Sequence, residues 1–237
     1  MRTTKIRYTI AFLLSNLVLA LFIVGAVFLN TDFLMKRYST DERIQNRFEM
    51  DDDTLRSTTT KALDLVKGKS TDYEFTSIVK GEEVVFLNDK EIRHVKELAA
   101  FYAIHKVIFL QMLLVMLLLL VTPFIATSDK KKLWEKEKAS AAKGFLLAQA
   151  IFFSVIAVLF IAYLISPTDM INNFHRLAFK GDNWILNPVT DRLVYLCSEK
   201  LITNCVIIFV VILFIYIAIG SASSTVCLVK NKKKVKE

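Results

Sequence analysis

An uncharged apolar stretch, VIFLQMLLVMLLLLVTPFIA, occupies residues 107–126. At 1.5 Å per residue, a helix of this length is about 30 Å long, which matches the hydrocarbon core of a bilayer. A soluble helix buries only one face and does not need such an unbroken run of apolar residues. The stretch therefore predicts a transmembrane helix.

Three further stretches of similar length and composition lie at residues 8–29, 144–166 and 205–229. The first follows several basic residues, as a signal peptide would, but its apolar part is too long and no small-residue cleavage pattern ends it. The chain is 54% hydrophobic, and its apolar residues are gathered into these blocks. We therefore expect an all-α membrane protein with four transmembrane helices.

Basic residues beside the spans predict the orientation, because short cationic loops resist translocation. Lys and Arg cluster at the N-terminus, between the second and third spans, and in the C-terminal tail, so an N-in/C-in protein is expected. The predicted parts are a first transmembrane helix at 1–29, an extracytoplasmic cap at 30–102, a second transmembrane helix at 103–126, a basic cytoplasmic loop at 127–143, a third transmembrane helix at 144–166, an extracytoplasmic segment at 167–204, a fourth transmembrane helix at 205–229 and a basic cytoplasmic tail at 230–237.

The net charge of +8 follows from the same distribution of cations beside the spans. Attraction to anionic membrane lipids is the expected consequence. No nucleic-acid-binding motif accompanies these cations, so no nucleic-acid partner is expected. Cys197 is the only cysteine in an outer segment, and we therefore expect no structural disulfide.

The cap is expected to contain helices and a small β-hairpin. Helical spacing predicts a surface helix at 54–67, and two short runs rich in aromatic and branched residues, at 73–79 and 83–87, predict the hairpin. Asn88 or Asp89 is a candidate N-cap for a helix that continues without a breaker into the second span. That helix places Glu91, His94 and Glu97 on one side.

The chain has three histidines, His94, His105 and His175, and each lies on the outer side or at the outer end of a predicted span. Imidazole exchanges protons near neutral pH, so His94 and His175, just beyond their spans, predict a shared proton-transfer site. The alternative is a pair of solvated histidines without chemistry. His, Asp and Glu also bind zinc, but no HExxH or paired-cysteine spacing is present, and neither metal nor cofactor is expected.

Two residues near His175 are candidates for substrate contact. Arg176 could bind an oxyanion, a phosphate or a lipid headgroup. Trp184 is suited to anchoring at the membrane interface, where indole is favoured, and could also form part of an acyl pocket.

The outer segments carry a family resemblance. The chain resembles the bacterial lipoprotein intramolecular transacylases at Glu91, Ile92, His94, Phe174, His175, Phe179, Asp182, Trp184, Pro188, Asp191, Leu193 and Glu199. Four spans and a long first outer segment also fit this family. Two positions depart from its pattern: Glu97 stands where an Asp is usual, and Ser198 where a Pro is usual.

The resemblance implies an acyltransferase at the extracytoplasmic face of the cell membrane, acting on a diacylated lipoprotein. The enzyme would move the sn-2 acyl chain of the diacylglyceryl group to the α-amine of the same lipoprotein's N-terminal cysteine. His94 and His175 would be catalytic, Arg176 and Trp184 would bind substrate, and the orienting carboxylates would come from Glu91, Glu97, Asp182 and Asp191. The sequence does not distinguish the base from the acid, nor direct transfer from an acyl-enzyme. The alternative function is a non-enzymatic four-span scaffold or lipoprotein-binding protein.

Overall fold

The structure, a computed structural model, describes residues 2–236, apart from the side chains of residues 199 and 233–236. The side chain of Glu199 and the end of the basic tail therefore lie outside the described residues. The described elements are α1 (Arg2–Phe28), α2 (Thr31–Tyr38), α3 (Glu42–Phe48), α4 (Asp52–Val66), β1 (Thr76–Val79), β2 (Glu82–Val85), α5 (Asp89–Ile125), α6 (Lys130–Ile165), α7 (Pro167–Ala178), α8 (Leu193–Leu196) and α9 (Glu199–Lys236).

Four helical segments are long and apolar enough to cross a membrane, which confirms the predicted spans. They are Arg2–Phe28, Asp89–Ile125, Lys130–Ile165 and Leu193–Lys232. A helix of 37 residues is about 55 Å long, which exceeds the bilayer core. In α5 the uncharged apolar stretch begins only at Val107, so residues 89–106 precede the membrane-spanning part. Because α6 begins at Lys130, most of the basic segment at 127–143 is helical.

The chain divides into two compact units. The membrane unit comprises Met1–Phe22, Ile108–Ile165 and Ile208–Glu237. Within it, the side-chain amides of Asn16 on α1 and Gln149 on α6 exchange two hydrogen bonds of 3.2 Å, and both residues are buried. Such paired amides join helices in lipid, where neither group has water as a partner.

A second polar contact joins α1 to α6. Arg7 pairs with Glu137 at 2.6 Å, and the Tyr8 hydroxyl donates to the same carboxylate oxygen at 2.9 Å. Gly144 permits the approach, because a Cβ at that position would lie 2.8 Å from the Tyr8 Cβ. Polar pairing and small-residue contact together hold these two helices.

The site unit comprises Ile23–Val107 and Ser166–Ile207. Three short helices, α2, α3 and α4, are capped by Asn30, Asp41 and Asp51, and each of these side chains accepts a backbone N–H of the helix it precedes. The helices pack on one hydrophobic core with the hairpin, α5 and α8. The buried Tyr38 hydroxyl donates to the Leu196 carbonyl at 2.7 Å, which fixes α2 against α8.

The predicted hairpin is confirmed. Strands β1 and β2 pair antiparallel, with Val79 opposite Glu82. The two turn residues, Lys80 and Gly81, have φ of 53° and 80°, the left-handed pair that a tight hairpin turn requires. The predicted surface helix is α4, which begins two residues earlier than expected because the Asp51 side chain caps it.

Candidate active site

The N-terminal end of α5 is held by a capping box. The Asn88 side chain accepts the Glu91 N–H at 3.0 Å, and the Glu91 carboxylate accepts the Asn88 N–H at 2.9 Å. Asn88 is therefore the N-cap, as the sequence allows, and Glu91 occupies the third helical position. This geometry gives the helix a defined start, and His94 follows three residues after Glu91.

Glu91 also holds the segment between α7 and α8 against α5. Its other carboxylate oxygen accepts the backbone N–H groups of Arg192 and Leu193 at 2.6 and 2.5 Å. The side chain is fully buried. Glu91 was expected to orient His94; its oxygens instead bind three backbone amides, because a Glu at the third position of a helix turns back toward the N-cap.

Asp191 performs a similar structural task in place of the expected role beside an imidazole. Its carboxylate accepts hydrogen bonds from the Asn187 N–H at 2.7 Å, the Thr190 hydroxyl at 2.8 Å and the Asn88 side-chain amide at 2.9 Å. Burial favours protonation, but these donors outweigh it and lower the pKa of Asp191 below its ordinary value. The carboxylate thus ties the turn at 187–191 to the start of α5.

His94 lies two turns inside α5 and is only 4% exposed. Its Nδ1 lies 3.4 Å from Oε2 of Glu97, one turn along the same helix. Burial lowers the pKa of His94, and it outweighs the opposing effect of the Glu97 carboxylate, while His175 adds to the lowering. His94 is therefore neutral near pH 7, with a carboxylate in place to stabilise the imidazolium that would form on proton uptake.

Glu97 is held in turn by a residue from the segment between α7 and α8. The Asn183 side-chain amide donates to Oε1 of Glu97 at 2.9 Å, and the Asn183 oxygen accepts from Nε of Arg93 at 3.2 Å. The Arg93–Asn183–Glu97 chain leaves Oε2 of Glu97 directed at His94. No sequence pattern indicates a role for Asn183 or Arg93, although Asn183 lies between Asp182 and Trp184.

His175 is positioned by the short helix α7. Ser166 caps this helix, Pro167 occupies its first turn, and His175 lies in its last turn. Nδ1 of His175 donates to the Ile171 carbonyl at 2.7 Å, which fixes the proton of the neutral ring on Nδ1. The opposite nitrogen, Nε2, then carries the lone pair.

The structure brings the two predicted catalytic histidines together. Their ring centroids are 6.0 Å apart, and the ring planes differ by 40°. Phe179 contacts both rings, with its centroid 5.2 Å from His94 and 5.6 Å from His175. Among the described residues, neither Nε2 has a hydrogen-bond partner, so both remain available to a substrate.

Trp184 lies directly beside this pair. Its indole stacks on His175 at 5.2 Å, and its N–H donates to the Gly181 carbonyl at 3.0 Å. Gly181 has a φ of 93°, a left-handed conformation that favours glycine. Trp184 therefore fixes one face of the His175 ring.

Two predicted residues are not brought to the imidazoles by any contact of the described residues. The side chain of Asp182 is exposed, and its backbone carbonyl accepts the Ile185 N–H. Arg176 is also exposed, and its guanidinium has no ion-pair or hydrogen-bond partner in the described part of the chain.

The described residues contain no group of three or more His, Cys, Asp or Glu side chains that could hold a metal ion. The pair of imidazoles, one backed by a carboxylate and one by a backbone carbonyl, is arranged for proton transfer. A substrate amine beside one Nε2 could lose its proton to that ring, and the neighbouring ring could carry the proton on to a departing oxygen.

Comparison with known proteins identifies a family for the chain. The family model for lipoprotein intramolecular transacylase Lit matches residues 8–202. No curated protein matches the chain.

Solved structures give the same fold. The structure of the membrane-integral lipoprotein intramolecular transacylase Lit from Bacillus cereus aligns with 99% of this chain and 97% of that chain, at 15% identity and a TM-score of 0.62. A histidine-to-alanine variant of that protein aligns with 99% of this chain and 93% of that chain, at 14% identity and a TM-score of 0.54. On the extent of the family match, this chain is an integral membrane enzyme that belongs to the lipoprotein intramolecular transacylase family.

Proposed function

We propose that the chain moves the sn-2 acyl chain of a diacylglyceryl-cysteine lipoprotein to the α-amine of the same cysteine. The product is an N-acyl, lyso-form lipoprotein. The observation that carries this proposal is the pairing of His94 and His175, with centroids 6.0 Å apart and both Nδ1 atoms occupied. Family membership supplies the lipoprotein substrate.

The reaction is an isomerisation. The amine nitrogen forms a bond to the ester carbonyl carbon, the bond from that carbon to the sn-2 oxygen breaks, and a proton passes from nitrogen to the departing oxygen. The tetrahedral intermediate closes an eight-membered ring through the cysteine and two glyceryl carbons. Closure of such a ring is entropically unfavourable in solution, so the enzyme must hold the headgroup in a bent conformation.

The two imidazoles have different tasks in this proposal. His94 is the general base, because burial keeps it neutral and Glu97 stabilises its protonated form. An α-amine has a pKa of about 8, so the base acts on the neutral fraction or on the amine as it attacks. His94 passes the amine proton to the free Nε2 of His175, which returns it to the glyceryl oxygen as the C–O bond breaks, so both rings end neutral. The transfer is direct and needs no acyl-enzyme.

The positions of the remaining residues suit the substrate headgroup. Trp184 supports the His175 ring, and the exposed guanidinium of Arg176 binds an anionic group of the lipoprotein or of a neighbouring lipid. The flanking cations favour N- and C-termini in the cytoplasm, which supports an active site at the extracytoplasmic face of the cell membrane.

A lipopeptide assay tests the proposed function. Purified protein in lipid vesicles is mixed with a synthetic diacylated lipopeptide whose α-amine is free. We expect the free amine to disappear while the mass is unchanged, since product and substrate are isomers. A mass gain would indicate a different acyl donor, and tight binding with a persistent amine would favour the scaffold function.

The third histidine provides a matched control. His105 lies further along α5 and stacks on Tyr102 at 6.0 Å, outside the pair. His105→Asn should retain the amine loss. Loss of activity in this variant alone would contradict the assignment of the site to His94 and His175.

A further inference from the structure

Three phenylalanine rings continue the site beyond the imidazoles. Phe101 on α5 lies 6.0 Å from Phe174 and 5.8 Å from Phe179, and the centroids of Phe174 and Phe179 are 6.4 Å apart. We call these three rings the aromatic wall. Because Phe179 also contacts both imidazoles, the wall begins at the site itself.

Exposure increases along this wall with distance from the histidines. Phe179 is 7% exposed, whereas Phe101 is 38% and Phe174 49% exposed. Ile104, one turn beyond Phe101 on the same side of α5, is 59% exposed. The apolar surface thus leads from a buried ring beside the imidazoles to open apolar residues.

The direction of this surface follows the helix toward the membrane. His94 and Phe101 are seven residues apart on one side of α5, about 10 Å along its axis. Residue 107, where the membrane-spanning stretch begins, lies less than two turns beyond Phe101. An apolar strip that opens toward a span suits lipid better than water.

We propose that the aromatic wall and Ile104 seat the sn-2 acyl chain of the substrate while its carbonyl lies between the imidazoles. This inference rests on the proposed function, because the carbonyl must be the atom that the amine attacks. The polar headgroup then lies toward Trp184 and Arg176, and the chain leaves along α5. The wall thereby selects a long acyl chain and directs the ester carbonyl toward the histidines.

Chain-length selectivity tests this seat. Two diacylated lipopeptides with the same peptide and sn-1 chain, one with a palmitoyl and one with a butanoyl group at sn-2, compete in one reaction. We expect Phe101→Ala to lower the ratio of kcat/KM for the long chain to that for the short chain by about tenfold, as loss of one aromatic contact allows. Because both rates come from one preparation, the ratio does not depend on the active fraction.

Two further variants complete the test. Phe174→Ala should lower the ratio in the same direction, and Phe153→Ala, an exposed phenylalanine on α6 in the membrane unit, should leave it unchanged. If Phe101→Ala does not fold, Phe101→Leu keeps the apolar volume and should lower the ratio less. An unchanged ratio in active Phe101 and Phe174 variants would overturn the seat, whereas absence of transfer by the unmodified protein would overturn the proposed function instead.

Discussion

His94 and His175 are the same side chain in two different settings. His94 is buried on a long helix that begins with a capping box, and a carboxylate faces its Nδ1. His175 is half-buried on a helix of 12 residues with no buried member, and a backbone carbonyl and an indole hold it.

In the proposed mechanism, this difference makes His94 the ring that accepts the first proton. A carboxylate stabilises an imidazolium more than a carbonyl does, whereas burial keeps the resting ring neutral. His94 has both properties and His175 has neither to the same degree. The pair is therefore asymmetric, and the experiments below measure each contribution to that asymmetry.

The largest effect is expected from removing either ring. His94→Asn and His175→Asn should each lower kcat/KM by about a thousandfold, the contribution of general acid or base catalysis. Loss of free amine from the lipopeptide measures the rate, and circular dichroism checks that each variant folds. If one variant retains full activity, the two-histidine site is wrong.

Substitution of Glu91 should lower the stability of the protein, whereas substitution of either histidine should lower the reaction rate. Glu91→Gln replaces an acceptor of three backbone N–H bonds with a neutral amide and should lower the free energy of unfolding by about 2 to 3 kcal/mol. Thermal unfolding in detergent measures the change. Glu82→Gln, at an exposed position on the hairpin, is the control and should have no effect.

Glu91 and Glu97 also show what the sequence could predict. Both lie three residues from His94, so spacing alone makes them equal candidates for orienting the ring. The N-cap at Asn88 distinguishes the two glutamates, because it places Glu91 in the capping-box position. The capping-box pattern of Asn88 and Glu91 was present in the sequence. The expected role of Glu91 in orienting His94 was based on their three-residue spacing alone.

Asn183 could not be predicted in this way. Its partner Glu97 lies on another element, and no local pattern links an exposed turn to a helix far away in the chain. The four spans were predictable because an apolar run of bilayer length needs no tertiary contact to be recognised. The proximity of His94 and His175 was predicted from their positions beside the spans and from the family resemblance. The distance between the two rings is determined by tertiary packing and could not be predicted from the sequence.

The next prediction concerns pH. Because burial lowers the pKa of His94, kcat/KM divided by the neutral fraction of the substrate amine should have an acid limb below about pH 6.5, the ordinary value for imidazole. Glu97→Gln removes a group that raises this pKa, so the limb should move to still lower pH while the rate falls about thirtyfold. Glu97→Asp retains the charge, so its kcat/KM should fall less than that of Glu97→Gln. A limb that moves to higher pH in Glu97→Gln would contradict the assignment of His94 as base.

The smallest effect is expected at Asn183, which acts only through Glu97. Asn183→Ala removes one hydrogen bond to a carboxylate and should lower kcat/KM about fivefold. In the Glu97→Gln background the same substitution should have almost no effect, because the carboxylate that Asn183 positions is gone. Asn173→Ala, an exposed asparagine on α7, is the control. If the two effects multiply, Asn183 contributes to the fold and does not position Glu97; if they do not, the asymmetry of the pair extends from His94 through Glu97 to Asn183, in the segment between α7 and α8.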